Sequence, residues 1–332
     1  FTGIAVQSNP IYKNRNPELL SPIIFNNHSI NLTLENQKRQ VKLQAGPLLE
    51  RFVRHFDDSW NGQRHDLSFA DLCVFAGTPE WLGRAVQPLV SQLMQSQIPI
   101  AYLGVGFFES LNTYSFETLT PEDQLCLRKA RVVTVRDQRC AELLSPVTPK
   151  LLPCPALFST RTEKQRTGKK KIALSFQGAR NGNSQPIPAH LSEYCRKLFH
   201  LLAAEYECAY VFHYVDELHE YRDLQNLPIY YSGDPRDYES IYDQFDLCVT
   251  TRVHGAGICA SLGIPSVVIN HSARSETAEG FLAELVNPGV QAPEDVAQIV
   301  RDLEVRERSE RILEHKKTTT GQYETILKQL FA

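Results

Sequence analysis

An arginine and a histidine, separated by one residue, follow a short apolar run in the last third of the chain. The run is 247–250, and Arg252 and His254 come just after it. Small residues then open a helix that stops at Gly263, before a second apolar run at 266–269. This order indicates a strand, a loop, a helix and a strand. Ligands bind where such strands end, and helix N-termini offer N–H groups to anions, so the pair is predicted to hold a phosphate or carboxylate.

The same residues also allow a purely structural interpretation. Arg252 can cap a neighbouring helix, and His254 can be a satisfied interface histidine. The small residues that open the helix let the backbone approach a ligand closely, but they equally permit tight packing of the helix on the sheet. They favour the ligand interpretation, in which Thr251 and Gly255 line the anion site together with the charged pair.

The length and charge of the chain narrow the class of protein. At 332 residues the chain exceeds the size at which one core usually stops growing, so we expect two domains. The formal charge is −3 and the isoelectric point is near 6.4. Because acids and bases are interspersed, this balance argues against a nucleic-acid partner.

Cysteine usage and hydropathy favour a cytoplasmic protein. Eight cysteines occur without a CxxC pair in a chain too long to need disulfide bonds, which indicates a reducing compartment. No stretch is long enough for a transmembrane segment, and no basic and apolar leader precedes the fold. The chain begins at Phe1 and contains only Met94 as a methionine, so we expect that some native N-terminal sequence lies outside this numbering.

Apolar runs alternate with amphipathic stretches through both halves of the chain, which is typical of two doubly wound α/β domains. The charged, apolar-poor segment 161–171 is predicted to link domains at 1–160 and 172–332, although its basic run can also bind anions. The last helix is expected to be able to pack back on the first domain. The predicted strands are 72–76, 98–104, 132–135, 172–176, 209–213, 229–231, 247–250 and 266–269.

Four segments resemble the polysaccharide pyruvyl transferase family in their order and spacing. They are 71–81, 100–106, 133–137 and 246–265, the last containing the Arg-x-His pattern. The resemblance implies an α/β fold of two Rossmann-like domains that face a cleft, as in GT-B glycosyltransferases. It also implies that the protein takes phosphoenolpyruvate as donor and makes a cyclic pyruvate ketal on two hydroxyls of a carbohydrate, either free or lipid-linked. No cofactor is expected.

The resemblance transfers functional roles to particular residues. The arginine that follows the third segment is Arg136, and the family's Arg-x-His is Arg252 and His254. Arg274 stands where the family often has a lysine, so the positive charge is kept while a neutral amine is excluded. Arg136 also has a structural interpretation, as an ion-pair partner of Asp137 or a capping residue. The first domain is expected to hold the acceptor and part of the donor site, and the second to bind the donor.

Three stretches depart from the family pattern. Gly77 is followed by Thr78 where the family commonly has paired glycines, and Cys154 precedes Pro155 where the family has an aspartate before proline. The loop 14–18 matches the family's Asn-x-Gly-Asp loop only loosely. These departures suit a different acceptor or a lost activity.

The proposed donor carries close to three negative charges, so its site needs several cations. Arg136, Arg252 and Arg274 can supply them, with the glycine turns at Gly77 and Gly106 beside the donor. An imidazole suits either proton transfer, as the acid at the methylene carbon or as the base at a sugar hydroxyl. The catalytic residues are therefore predicted to be His254 and Arg136.

Acceptor contacts and alternative functions are also predicted. Glu80 and Asp137 are candidates for bonding acceptor hydroxyls, and Trp81 can stack on a sugar ring or simply pack in the core. A metal site is not expected, because His213 and His219 have no acidic pair at ligand spacing. A GT-B glycosyltransferase that uses a nucleotide sugar, or a catalytically silent binding protein of the same fold, remains the alternative.

Overall fold

The computed structural model describes residues 71–77, 93–106, 115–179, 187–213, 217, 227–232 and 236–331. Several sequence-based predictions lie outside these residues. They are the acceptor residues Glu80 and Trp81, the glycine-turn residue Thr78, the loop 14–18 and His219.

Strands and helices alternate through the described residues, and local signals explain the bounds of some of the helices. Helix α1, for example, begins after Thr120, whose side chain accepts a hydrogen bond from the Asp123 amide, and has proline in its first turn. The strands are β1 Cys73–Ala76, β2 Ile100–Val105, β3 Val132–Val135, β4 Lys150–Leu151, β5 Lys171–Ser175, β6 Glu207–Phe212, β7 Ile229–Tyr231, β8 Leu247–Thr250, β9 Ser266–Ile269 and β10 Glu284–Val286. The α-helices are α1 Pro121–Lys129, α2 Gln138–Leu143, α3 Ala189–Ala203, α4 Asp237–Tyr242, α5 Val253–Ser261, α6 Pro293–Asp302 and α7 Val305–Phe331.

The strands form two sheets. The first has the order β1-β2-β3-β4, and the second has the order β10-β9-β8-β5-β6-β7. All five strand pairs of the second sheet are parallel, and β3 pairs with β4 in parallel. The predicted α/β class with Rossmann-like sheets is confirmed.

The strand order of the second sheet locates a crevice. The direction in which successive strands are added to the sheet reverses between β5 and β8, since the strands after β5 extend to one side and those from β8 onward extend to the other. Ligands of open parallel sheets bind outside the carboxyl ends of the strands at this switch point. The residues that follow Ser175 in β5 and Thr250 in β8 are therefore the expected site.

Both faces of the second sheet are covered by helices. Alternate residues of β5, such as Ile172 and Leu174, pack in a core with α3 and α6. Ala173, between them, faces the other way and packs in a second core with α4 and α5. Because a parallel strand is buried on both faces, it appears in the sequence as a continuous apolar run. The eight predicted strands lie within about two residues of observed ones, whereas β4 and β10 are not predicted.

By contacts the chain divides into two compact units, 1–102 with 115–132, and 103–114 with 133–332. In the first unit, the rings of Phe75 and Tyr102 stack with centroids 4.8 Å apart. The Tyr102 hydroxyl also donates to the Cys126 sulfur at 3.0 Å. The boundaries of the predicted domains stay a prediction.

Most residues of the segment 161–171 are exposed, but two of its basic side chains bind the helices of the second sheet. Arg166 is buried, and its guanidinium pairs with the Asp243 carboxylate. The Lys169 ammonium donates to the carbonyls of Val300 and Leu303, at 2.8 and 2.9 Å, where α6 ends. Two basic side chains of this segment thus bind the C-terminal ends of helices, where the helix dipole stabilises a positive charge.

The apolar pattern of the sequence also predicts helices at 277–285 and 323–332, and the first of these is wrong. Residues 277–285 form the end of a 3-10 helix, Ala273–Phe281, followed by β10. The turn occurs at Leu282, whose φ of 54° is left-handed. Sequence patterns miss such a turn because they expect glycine or asparagine there.

The final helix is also longer than the predicted 323–332, because α7 begins at Val305. Its buried stripe has helical spacing but contains polar members, so the apolar pattern in the sequence is interrupted. Ser309 donates to the Gly263 carbonyl at 2.6 Å, and the Lys316 ammonium donates to the Ser261 carbonyl at 2.7 Å. These bonds hold the C-terminal end of α5, where carbonyls lack partners within the helix. Among the described residues, no helix is long and apolar enough to cross a membrane.

Candidate active site

Two threonines fix the loop between β8 and α5. Thr250 donates from Oγ1 to the Ser175 carbonyl and accepts from the Arg252 amide, both at 2.7 Å. Thr251 is buried, and its Oγ1 accepts from the Gln177 amide at 2.8 Å. Both bonds tie the loop to the end of β5 and leave Arg252 as the N-cap residue of α5. The Arg-x-His pair therefore lies at the switch point of the sheet, as the sequence predicts.

Three arginines surround His254. The pKa of His254 is lowered to about 4, by the burial of its surroundings and then by the charges of Arg136, Arg274 and Arg252. The ring itself is exposed to solvent, so water offsets part of the burial, while the three cations act on it directly. The structure thus brings together the three arginines and the histidine that the sequence nominated, and His254 is neutral near pH 7 before a donor binds.

Arg136 is a buried cation with no carboxylate within ion-pair distance in the part of the chain that the structure describes. It is 5% exposed, and its Nη1 contacts only the Cys154 sulfur, at 3.7 Å, while its Nε has no hydrogen-bond partner among the described residues. Arg166, also buried, shows the usual solution, since Asp243 neutralises it. A buried charge without a counter-ion is unfavourable, so the surroundings of Arg136 favour an anionic ligand.

Gly106 leaves the room that Arg136 occupies. A Cβ at position 106 would lie 2.0 Å from the Nε of Arg136 and 2.6 Å from its Cζ. The guanidinium therefore lies flat against the glycine backbone, just beyond the end of β2. Arg136 itself is held at the end of β3, where its amide donates to the Val105 carbonyl at 2.9 Å. Gly106 therefore affects the site indirectly, by leaving space for the Arg136 guanidinium.

Arg252 is held by a carboxylate that sequence reasoning missed. Its Nη2 forms an ion pair with Glu217, whose side chain is 2% exposed. The other oxygen of Glu217 accepts from the amide of His213 at 3.0 Å. Glu217 thus connects the end of β6 with the N-cap of α5. No sequence signal marks it, because it is distant along the chain and only the strand order brings it near.

Replacing Arg252 with alanine is expected to destabilise the protein by on the order of 3 kcal/mol, because the buried Glu217 carboxylate then loses this cation. Adding Glu217→Gln removes the stranded charge and should restore much of the loss. Thermal melting of both single variants and the double variant measures the coupling. If Arg252→Ala melts like the wild type, the ion pair contributes nothing to stability.

One further residue at this edge was not predicted. His271 follows β9, and its Nε2 bonds to the Gln177 side-chain oxygen at 2.7 Å and the Thr251 carbonyl at 3.1 Å. Both partners are acceptors, so Nε2 carries the proton. A histidine two residues beyond a strand end was the available signal, but its relevance depends on the strand order. The predicted donor-binding residue Arg274 lies three residues further on, half-buried in the 3-10 helix.

Some predicted site residues have other surroundings. Asp137 is buried and caps α2, since its Oδ1 accepts from the Cys140 amide at 2.8 Å; its role as an acceptor-binding residue stays a prediction. A Cβ on Gly255 would approach the Tyr242 hydroxyl at 3.0 Å, so this glycine makes room for packing. Gly77 lies in the first unit with a φ of 91°, and so marks a turn after β1 that favours glycine.

Metal ligation finds no support in the part of the chain that the structure describes. No group of three or more histidine, cysteine, aspartate or glutamate side chains there could hold an ion. All eight cysteines are free thiols. The charged groups at the switch point are mainly cationic, which suits an anionic substrate.

Comparisons with known proteins give a family. A search of curated proteins finds no match. Similar solved structures include S. aureus MnaA with UDP, at 17% identity over 77% of this chain and 76% of that one, with a TM-score of 0.47. UDP-GlcNAc 2-epimerase from Methanocaldococcus jannaschii, with UDP-GlcNAc and UDP, is 12% identical over 86% and 80%, with a TM-score of 0.47. Acinetobacter baumannii MurG is 15% identical over 78% and 73%, with a TM-score of 0.45.

These three likenesses are too distant to bear on function. The family model carries the assignment, because the model described as polysaccharide pyruvyl transferase matches residues 7–273, most of the chain and all four segments of the sequence pattern. The chain belongs to the polysaccharide pyruvyl transferase family.

Proposed function

We propose that this protein transfers the pyruvyl group of phosphoenolpyruvate to two hydroxyls of a carbohydrate, forming a pyruvate ketal. The observation that carries the proposal is Arg136, a buried guanidinium with no carboxylate within ion-pair distance among the described residues. Arg252 and Arg274 act on the same histidine as Arg136. A compact trianion with a phosphate and a carboxylate complements such a cluster. Eight free thiols support action in the cytoplasm.

The arginines bind the donor, and His254 transfers protons. The guanidinium groups hold the donor's phosphate and carboxylate, and the first-turn N–H groups of α5 add to the attraction. His254 donates a proton to the methylene carbon, and the first sugar hydroxyl attacks the adjacent carbon while giving its proton to the neutral imidazole. The bond to phosphate then breaks, the second hydroxyl closes the ring, and its proton leaves with the phosphate. His254 is therefore restored in each turnover.

Calorimetric titration tests the donor. Phosphoenolpyruvate is expected to bind and UDP-GlcNAc to bind weakly or not at all, because the cluster of cations is compact. Inorganic phosphate should bind with lower affinity, since it lacks the carboxylate. Selective binding of UDP-GlcNAc would favour the glycosyltransferase hypothesis, and binding of the donor without phosphate release in the presence of any sugar would favour a silent binding protein.

Donor binding is expected to take up a proton. His254 has a pKa of about 4 in the empty site, and the donor's negative charges offset the arginines and raise the pKa. Between these two values binding therefore takes up a proton, and donor affinity falls as the pH rises. Titration in buffers of different ionisation enthalpy measures the uptake.

The matched control for this uptake is His254→Gln, which cannot take up a proton near neutral pH. The donor's own phosphate titrates near pH 6, and its contribution is common to both proteins. The difference between wild type and variant therefore belongs to the histidine. Equal proton uptake in both would show that His254 does not change protonation on binding.

A further inference from the structure

The carboxyl edge of the second sheet has a second end, at His213. His213 directly follows β6, and β5 separates β6 from β8 in the sheet. The cationic end, around His254, is formed by residues that follow β8 and β9. The two ends lie close enough for the charges of Arg252 and His254 to act on His213. The two ends of the edge therefore differ in their electrostatic character.

The carboxylate beside His213 already has a cationic partner within the protein. The Glu217 carboxylate pairs with Arg252 and accepts from the His213 amide. The pKa of His213 is lowered well below its usual value, by burial and then by the charges of Arg252 and His254. The imidazole of His213 is thus uncharged near neutral pH. An anion gains little here, since it would meet an uncharged ring beside a carboxylate.

The ring of His213 is fixed in place on one side only. Its Nε2 and the Tyr242 hydroxyl are 2.8 Å apart, and the Tyr238 ring lies against it with centroids 4.6 Å apart. Both tyrosines are buried, whereas His213 is partly exposed. Its Nδ1 has no hydrogen-bond partner within the described residues. An unpaired ring nitrogen on a partly exposed histidine can form a hydrogen bond to a ligand.

We propose that Nδ1 of His213 binds a hydroxyl of an uncharged sugar ring, so that the β6 end of the edge is a subsite for the carbohydrate acceptor. This rests on the proposed function. A neutral imidazole nitrogen can accept from or donate to a hydroxyl, depending on its tautomer. Tyr242 and Tyr238 orient the ring without reaching the ligand, and Glu217 fixes its distance from Arg252. The donor takes the cationic end and the polyol takes the neutral end.

His213→Ala tests the subsite, with p-nitrophenyl glucoside, galactoside, mannoside and N-acetylglucosaminide as probes. Phosphate release from phosphoenolpyruvate is followed as the glycoside concentration varies. The loss of one neutral hydrogen bond should raise the KM for the glycoside roughly 3- to 10-fold. The Kd for phosphoenolpyruvate should stay within about twofold, because that bond is not made to the donor. His213→Asn, which keeps a hydrogen-bonding group near Nδ1, should recover part of the loss.

His190→Ala is the matched control, since this histidine is exposed at the start of α3. It should behave as the wild type. An unchanged KM for the glycoside in His213→Ala overturns the subsite, and so does a loss of donor affinity in that variant equal to the loss in Arg274→Ala. Thermal melting identifies any variant that fails to fold, and in that case His213→Asn decides.

Two binding measurements separate this proposal from the proposed function. Saturation-transfer NMR measures the binding of the four glycosides without donor, and so tests His213 even if the protein does not transfer pyruvyl groups. Weaker glycoside binding to His213→Ala than to the wild type supports the subsite. A wild-type protein that binds none of the four overturns it. A wild-type protein that binds glycosides but no phosphoenolpyruvate, by calorimetry, refutes the pyruvyl transfer while the sugar subsite stands.

Discussion

Replacing His254 with glutamine is expected to reduce turnover by about 10² to 10⁴ fold, the usual contribution of a positioned proton donor or acceptor. Glutamine retains the size and hydrogen bonding of the side chain but cannot exchange a proton near neutral pH. The melting temperature should change little, because the ring is exposed and makes no side-chain hydrogen bond within the described residues. Steady-state phosphate release from phosphoenolpyruvate, together with thermal melting, measures both effects.

His190→Gln controls for the substitution itself, since it makes the same chemical change on the exposed start of α3. It should retain full turnover. A His254→Gln protein with more than about a tenth of wild-type turnover is incompatible with proton transfer by His254, given the effect expected of such a group. If His254→Ala instead melts several degrees lower and loses activity only with unfolding, the histidine is structural.

Replacing Gly106 with alanine is expected to weaken phosphoenolpyruvate binding by roughly 10 to 150 fold, the effect of losing one charged hydrogen-bonding group. The added Cβ would lie 2.0 Å from the Nε of Arg136, so the guanidinium must leave its position. The φ of Gly106 is not left-handed, so alanine adds no backbone strain. Calorimetry with phosphoenolpyruvate measures the loss.

Two variants show whether this effect passes through Arg136. Gly168→Ala makes the same change where a Cβ meets no atom within 4 Å, and should bind the donor normally. In a chain that already carries Arg136→Ala, adding Gly106→Ala should cost little more, because the displaced group is gone. Additive losses in the double variant would show that Gly106 acts on the donor independently of Arg136.

The three arginines are not equivalent in the structure. Arg252 forms an ion pair with Glu217, whereas Arg136 has no carboxylate partner among the described residues and contacts the thiol of Cys154. The family commonly has an aspartate at the position of Cys154. A carboxylate there would offset the charge of Arg136, so the thiol leaves a stronger cation for the donor. We therefore expect Arg136 to contribute more to donor affinity than Arg252.

The sequence by itself determined the local structure of the site. Buried parallel strands are continuous apolar runs, so β3, β8 and β9 are predicted with their observed bounds. The end of β8 then fixes where Arg252 and His254 lie, because the threonines, the N-cap and the small residues of α5 act within a few residues of one another. These signals are local, and local patterns are what a sequence displays directly.

Only the tertiary structure decided which distant residues share the edge. The strand order places β5 and β6 beside β8, and so brings Glu217 to Arg252 and gives His213 a place at the site. It also distinguishes two buried arginines, since Arg166 is neutralised by Asp243, whereas Arg136 packs on Gly106 and meets no carboxylate among the described residues. The physical reason is that charge balance depends on which groups meet in space. Spacing along the chain carries no information about that once the partners lie on different strands.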